Sequence, residues 1–261
     1  MNRDLRFLVL SDPHLFANPG GTLRGINTLN SLRRVIGDVI ARKLLLDAVI
    51  CTGDIVNDEP EGYAHFAREL AALDKPVYCI PGNHDDPARL AQALRAPPFQ
   101  VGGHVDMGSW RIVLLDSCLP GNARGHLADS ELEALEAALA GNERHAMICV
   151  HHHPVSMGSR WLDALGIDNA EALFEVLDAH AQVRAIVWGH VHQCLDARRR
   201  GVRLLATPST GAQFLPQADN FAVDARPPAY RRLTLHEDGT LDTELTWIDE
   251  ADTIRLPAQS A

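Results

Sequence analysis

Val77-Tyr78-Cys79-Ile80, followed at once by Pro81-Gly82-Asn83-His84-Asp85, sets a short apolar run against a turn that carries an amide, an imidazole and a carboxylate. A run this short, ended by Pro-Gly, reads as a buried strand delivering polar groups from its carboxyl end. The arrangement recurs on both sides of it. Residues 7–10 run into Ser11-Asp12-Pro13-His14, and residues 48–51 into Thr52-Gly53-Asp54. Further on, residues 146–150 run into His151-His152-His153-Pro154, and residues 185–188 into Gly189-His190-Val191-His192. With one more apolar run at 112–115, the pattern is that of an α/β fold with buried strands. In such sheets, ligands and catalytic groups gather beyond the carboxyl ends of the strands. Five strands therefore bring Asp, Asn or His to one edge.

The intervening segments carry helical periodicity. Leu32, Val35, Ile36, Val39 and Ile40 form one inward face, and Tyr63, Phe66, Leu70 and Leu73 another, opened by Pro60. Asp129 caps a third helix with Leu132, Leu135 and Leu139 inward and Gly141 at its end, while Asp168 and Glu171 form a capping-box-like pair before Leu173, Phe174 and Leu177. After Trp188, residues 202–206, 231–236 and 241–247 read as strands, the last two joined through Glu237-Asp238-Gly239. Residues 216–228 read as a loop and Arg198 to Arg200 as a solvated hairpin tip. The expectation is one domain over residues 1–250 with a frayed tail at 251–261.

The bulk numbers narrow the function classes. The chain has 261 residues, 46% of them apolar, and no run approaches a membrane span or a signal-peptide h-region. Five cysteines without a CxxC pair, three of them in apolar runs, suit buried thiols in a reducing cytoplasm. A formal net charge of −10 disfavours a nucleic-acid polymer as substrate, although a small phosphate ester can still be drawn in where metal ions dominate the local field.

Imidazole and carboxylate together suit Zn, Fe or Mn, and the lack of Cys in the motifs argues against a structural zinc site. In an extended chain alternate residues share a side, which would pair Asp12 with His14 but also His190 with His192. Turns can override that rule, so spacing alone does not divide these residues between two ions. A carboxylate such as Asp54 can bridge two cations. Taken singly, each motif has an ordinary reading as a turn or a cap. The informative feature is their joint occurrence at successive strand ends. His65, His104, His145, His180 and His236 lie in surface, loop or helical contexts and are read as structural, as is His126.

The ordered set resembles the calcineurin-like metallophosphoesterases, whose motifs D-x-H, G-D, G-N-H-[DE], a strand-end His and G-H-x-H stand here at Asp12-Pro13-His14, Gly53-Asp54, Gly82-Asn83-His84-Asp85, His151-His152-His153-Pro154 and Gly189-His190-Val191-His192. The resemblance implies a four-layer α/β/β/α sandwich, two mixed sheets flanked by helices. It also implies two metal ions, Fe or Mn with Zn an alternative. Asp12, His14 and His192 would bind the first ion, Asn83, His151 and His190 the second, and Asp54 would bridge. His151 is chosen over His152, which stays an alternative, because it directly follows the strand. His84 would face the phosphate and the leaving group, with Asp85 orienting His84 or a neighbouring ligand. Asp54, Asn83 and His84 are thus the catalytic set, and Asn83, His84, His14 and His192 line the substrate.

A narrower resemblance, to bacterial class III 3′,5′-cyclic AMP phosphodiesterases, runs through residues 11–28, Leu114-Leu115-Asp116-Ser117, Trp161-Leu162-Asp163, 204–210 and Gln213-Phe214, with Pro13 where Thr is more usual. It implies hydrolysis of 3′,5′-cyclic AMP to 5′-AMP by a metal-bridging hydroxide, and a homodimer. Phe16, Asn27, Trp161 and Phe214 are base-pocket candidates because they lie in or beside these segments. The alternatives are a broader phosphodiesterase for glycerophosphodiesters or 2′,3′-cyclic nucleotides and, more remotely, a binding scaffold. A protein phosphatase is disfavoured because Gly53-Asp54 continues as Ile55-Val56-Asn57-Asp58, without the Asp-Arg-Gly of those relatives.

Overall fold

In the computed structural model, which describes residues 3–248, the apolar runs pair into two six-stranded sheets. The first is ordered Leu241–Trp247, Ala229–Leu235, Leu5–Leu10, Ala48–Cys51, Val77–Cys79, Phe99–Val101. Its last four strands are parallel and the first two join antiparallel, so the sheet is mixed. The second sheet is ordered Leu195–Arg199, Val202–Ala206, Val183–Trp188, His145–Cys149, Trp110–Leu114, Gly103–Met107, parallel in the middle and antiparallel at both edges.

Strand alternation sorts the side chains into three apolar layers. Phe7, Val9, Ile50, Ile112, Met147, Cys149 and Val187 meet between the sheets. Their neighbours Leu8, Leu10, Val49 and Cys51 face the helices Thr28–Ala41 and Gly62–Ala71, and Ile148, Val150, Ile186 and Trp188 face Asp129–Leu139 and Ala170–Asp178. The result is the expected helix–sheet–sheet–helix sandwich. Strands buried on both faces explain why the sequence shows unbroken apolar runs there.

Several local expectations need correction. Ile40 is 48% exposed, lying past the inward stripe of its helix. Asp129 is the first helical residue and not the cap, which is Ala128; Asp168 likewise does not cap, and its carboxylate accepts from His126 Nδ1 at 2.6 Å. The segment read as loop contains a two-residue strand, Val223–Asp224, paired with Gln213–Phe214. Arg199 at the hairpin tip packs over Phe174 and pairs with Asp178. The tail at 251–261 lies outside the described residues. None of the described helices is long and apolar enough to cross a membrane.

Candidate active site

The five motifs converge where the carboxyl ends of both sheets meet. Asp12, His14, Asp54, His190 and His192 all adopt left-handed backbone, with φ of 51°, 46°, 49°, 65° and 47°. Non-glycine residues rarely do so, and when several cluster the strain points to a functional site. These turns override strand alternation. His192 Nε2 faces His14 Nε2 at 3.1 Å and Asp12 Oδ1 at 3.5 Å. The His190 ring instead turns toward His151, His152 and His153, with centroids 5.1, 4.6 and 5.7 Å away. Two histidines at i and i+2 therefore serve opposite sides of the cluster.

Glycines let the loops close on each other. A Cβ at Gly82 would collide with the Asp54 carboxylate and backbone, and one at Gly189 with Ser11 Oγ and Asp12. Beneath the cluster, Ser11 donates to Asp12 Oδ2 at 2.5 Å, Thr52 donates to Ser11 at 2.7 Å, and Ser209 donates to the Asp12 carbonyl at 2.7 Å. The His190 amide donates to the Asp12 carboxylate at 3.0 Å.

Outer hydrogen bonds fix the ring tautomers, the usual way a protein prepares imidazole ligands. His192 Nδ1 donates to Ala212 O at 2.6 Å and His151 Nδ1 to Thr52 O at 2.7 Å, which turns both Nε2 atoms inward. His151 Nε2 then lies 3.4 Å from Asp54 Oδ2 and 3.3 Å from Asn83 Oδ1. Asp54 Oδ2 is also 3.6 Å from His14 Nε2. His152 Nδ1 contacts Ser117 Oγ at 2.7 Å, and its Nε2, like His190 Nε2, is buried without a hydrogen-bond partner among the described residues.

The donor set fits cations. Asp12, His14 and His192 offer ligand atoms within 4.8 Å of one another; so do Asp12, Asp54 and His151, and so do His151, His152 and His190. Asp54 also groups with His14 and His84, so that, like Asp12, it falls in two of the groups. The electrostatics agree. Burial resists charge on Asp54 and Asp12, yet His151 and His14 beside the former, and His192 and His151 beside the latter, hold both carboxyls below the usual range. Burial pushes His14 down to about 3 and His190 well below its ordinary value, so both rings are neutral and able to ligate. Burial also resists a charge on His151, but Asp54 overcomes it and lifts that ring to about 9.

Of the two roles expected for Asp85, beside His84 or beside a neighbouring site residue, its hydrogen bonds favour the second. Its buried carboxylate accepts from the amides of Ile55 at 3.0 Å, Val56 at 3.2 Å and Gly82 at 2.9 Å, and from Tyr63 Oη at 3.0 Å. It thus ties the Asp54 loop to the Asn83 loop through their backbone amides. Burial and then Asp54 raise its pKa to about 7, against the pull of those amides. Asp85→Ala leaves three buried N–H groups unpaired, and a loss of about 3 kcal/mol is expected. That reads as a fall of roughly 5–10 °C in Tm; an unchanged melting curve would remove Asp85 from this role.

The partner of His84 is Asp58, whose carboxylate lies 3.0 Å from His84 Nδ1. Sequence reading missed it, although Asp58 stands four residues past Asp54 in the Gly-Asp motif. His84 N also donates to Asp54 Oδ1 at 2.9 Å. Burial opposes charge on His84, but Asp54 and Asp58 raise its pKa above the ordinary value. Of the base-pocket candidates, Trp161 and Phe214 line the cleft over the cluster, together with Arg24 and Phe221. Asn27 caps the helix Thr28–Ala41, accepting from the Asn30 amide, and the Phe16 ring packs against Gly21.

Comparison with known proteins points the same way. The chain is 40% identical over 243 residues to the 3′,5′-cyclic adenosine monophosphate phosphodiesterase CpdA of Pseudomonas aeruginosa, covering 92% of this chain and 89% of that one. It is 40% identical over 244 residues to CpdA of Escherichia coli (strain K12), with the same coverage. A dimetal phosphatase from Danio rerio shares the fold at a TM-score of 0.65 and 14% identity, covering 94% of this chain and 99% of that chain. Purple acid phosphatase PPD1 from yellow lupin does so at 0.63 and 14%, covering 100% of this chain and 58% of that chain. Residues 5–194 match the family model of the calcineurin-like phosphoesterases, and the chain belongs to that family.

Proposed function

We propose that this protein hydrolyses 3′,5′-cyclic AMP to 5′-AMP with two divalent metal ions, and that it works in the cytoplasm. The observation that carries the reading is Asp54, whose Oδ2 lies between His14 Nε2 and His151 Nε2 at 3.6 and 3.4 Å, so that one carboxylate can serve two ions. Support for the substrate comes from the two CpdA relatives, 3′,5′-cyclic adenosine monophosphate phosphodiesterases 40% identical to this chain over 92% of its length. The five cysteines are free, as a reducing compartment requires.

In this reading Asp12, His14 and His192 hold one ion, Asn83, His151 and His190 the other, and Asp54 both. The mixed O/N donor set suits Fe or Mn, and accommodates Zn. When bound, such a pair activates water at neutral pH and neutralises charge on phosphoryl oxygens. The Asn83 carboxamide, its oxygen turned to His151, leaves its N–H₂ for a phosphoryl oxygen. Asp58 takes the Nδ1–H of His84, which directs Nε2 into the cleft toward the 3′ oxygen. As a water oxygen bonds to phosphorus and loses its proton to solvent, the P–O3′ bond breaks and His84 passes its proton to O3′, giving the 5′-monophosphate.

Initial rates on 3′,5′-cyclic AMP, 2′,3′-cyclic AMP and glycerophosphocholine, with Mn²⁺ or Fe²⁺ and a chelator control, test this. Preference for the first substrate, lost with chelator, is the expected result. Equal or faster turnover of the others would leave a general phosphodiesterase and end the cyclic AMP assignment.

A further inference from the structure

Beyond the metal ligands, the cleft is closed by a corner of three aromatic rings. Phe214 lies flat on His192 at 4.0 Å and 5°, so it is continuous with the metal cluster. Trp161 meets Phe214 edge-on at 5.5 Å, and Phe221 meets Trp161 at 5.2 Å and 81° and Phe214 at 5.1 Å and 73°. These rings come from separate pieces of chain: the short helix Arg160–Asp163, the strand Gln213–Phe214, and the segment leading to Val223–Asp224. Packing does not require Phe221 here, since it is 40% exposed and belongs to none of the buried core clusters. Arg24, itself in left-handed backbone, also lines the cleft and places its guanidinium 4.5 Å from the centre of the Phe221 ring.

A three-ring corner could cage a quaternary ammonium. Here, however, the cation position over Phe221 is already taken by Arg24, and a second cation beside it would be repelled.

We propose that Phe221, Trp161 and Arg24 form a nucleobase subsite that selects base-bearing cyclic phosphates over phosphodiesters with a cationic head group. The inference rests on the phosphodiesterase reading and adds its specificity-determining residues. The base packs against the cleft side of the aromatic corner, beside the Arg24 guanidinium. Phe214 acts through His192, as a positioning residue.

The test compares kcat/KM for 3′,5′-cyclic AMP with that for ribose 3′,5′-cyclic phosphate lacking a base, in the wild type and in Phe221→Ala. Stacking contributes about 1–3 kcal/mol per base, so the wild-type preference for cyclic AMP is expected to fall about 10-fold or more in the variant. An identical preference in both proteins would overturn the subsite. So would efficient hydrolysis of glycerophosphocholine that Phe221→Ala abolishes, because the corner would then be an ammonium cage. Binding provides a readout free of turnover. Titration with 5′-AMP should quench tryptophan fluorescence in the wild type but far less in Trp161→Phe, and ribose 5-phosphate should quench neither. If the wild type hydrolyses neither cyclic phosphate, the phosphodiesterase reading fails while this titration still decides the subsite: quenching that Trp161→Phe leaves unchanged overturns it.

Discussion

Asp54→Ala is expected to give a folded protein that holds fewer than two metal ions and has lost activity by on the order of 10³-fold or more. The size follows from position. Loss of an outer hydrogen-bond partner of a metal ligand costs about 10–100-fold in affinity or activity. Asp54 stands closer in, with one oxygen facing both His14 and His151 and the other accepting from the His84 amide at 2.9 Å. Its removal therefore affects both ions and the general acid together. The fold should survive, because the carboxylate is bonded to the cluster and the two sheets are held by apolar layers elsewhere. Metal analysis of the purified variant beside its rate on cyclic AMP checks this. A variant with two ions and near-normal turnover would show that Asp54 is no bridge.

His84→Ala should separate chemistry from metal binding. Geometry alone would admit His84 as a ligand, since it groups with His14 and Asp54 within 4.8 Å. Its side chain is nevertheless 35% exposed to the cleft, and Nδ1 is taken by Asp58. The account predicts an unchanged metal content and a fall in kcat of about 10²–10⁴-fold, the usual contribution of a positioned acid. Loss of an ion would make His84 a ligand; normal turnover would remove it from the mechanism. Asp58→Asn is the milder companion. Asp58 helps raise the His84 pKa, so its neutralisation lowers that pKa, and the protonated acid is lost at lower pH. The alkaline limb of the kcat profile should move toward acid, whereas a purely structural role would lower kcat without moving that limb.

The sequence made the strand framework and the five motif clusters legible because both depend on local pattern. Strands buried on two faces are apolar at every position, as in residues 48–51. The strands that escaped notice lie at sheet edges, where one side is solvated. Leu195–Arg199 alternates half-buried with exposed residues and carries Asp196 and two arginines, and Gly103–Met107 is mostly exposed. Their identity as strands comes from pairing with Val202–Ala206 and Trp110–Leu114, which no local window contains.

Within the site, spacing could not say that His190 and His192 part company, because that depends on both residues taking positive φ. Asp58 and Asp85 were both visible as acids near motifs, yet their roles follow from which loop each reaches: Asp58 crosses to His84, whereas Asp85 turns back to the amides of Ile55 and Val56. Phe221 had no signal at all. An exposed phenylalanine in a polar loop acquires meaning only when folding sets it against Trp161 and beneath Arg24.

The most direct test of the dinuclear centre is stepwise reconstitution. Metal-free protein is titrated with Mn²⁺ under anaerobic conditions while 3′,5′-cyclic AMP hydrolysis is followed by product analysis. The account predicts negligible turnover without metal, activity that saturates at two ions per chain, and 5′-AMP as the product. Saturation at a single ion, or turnover that persists in the metal-free protein, would contradict it.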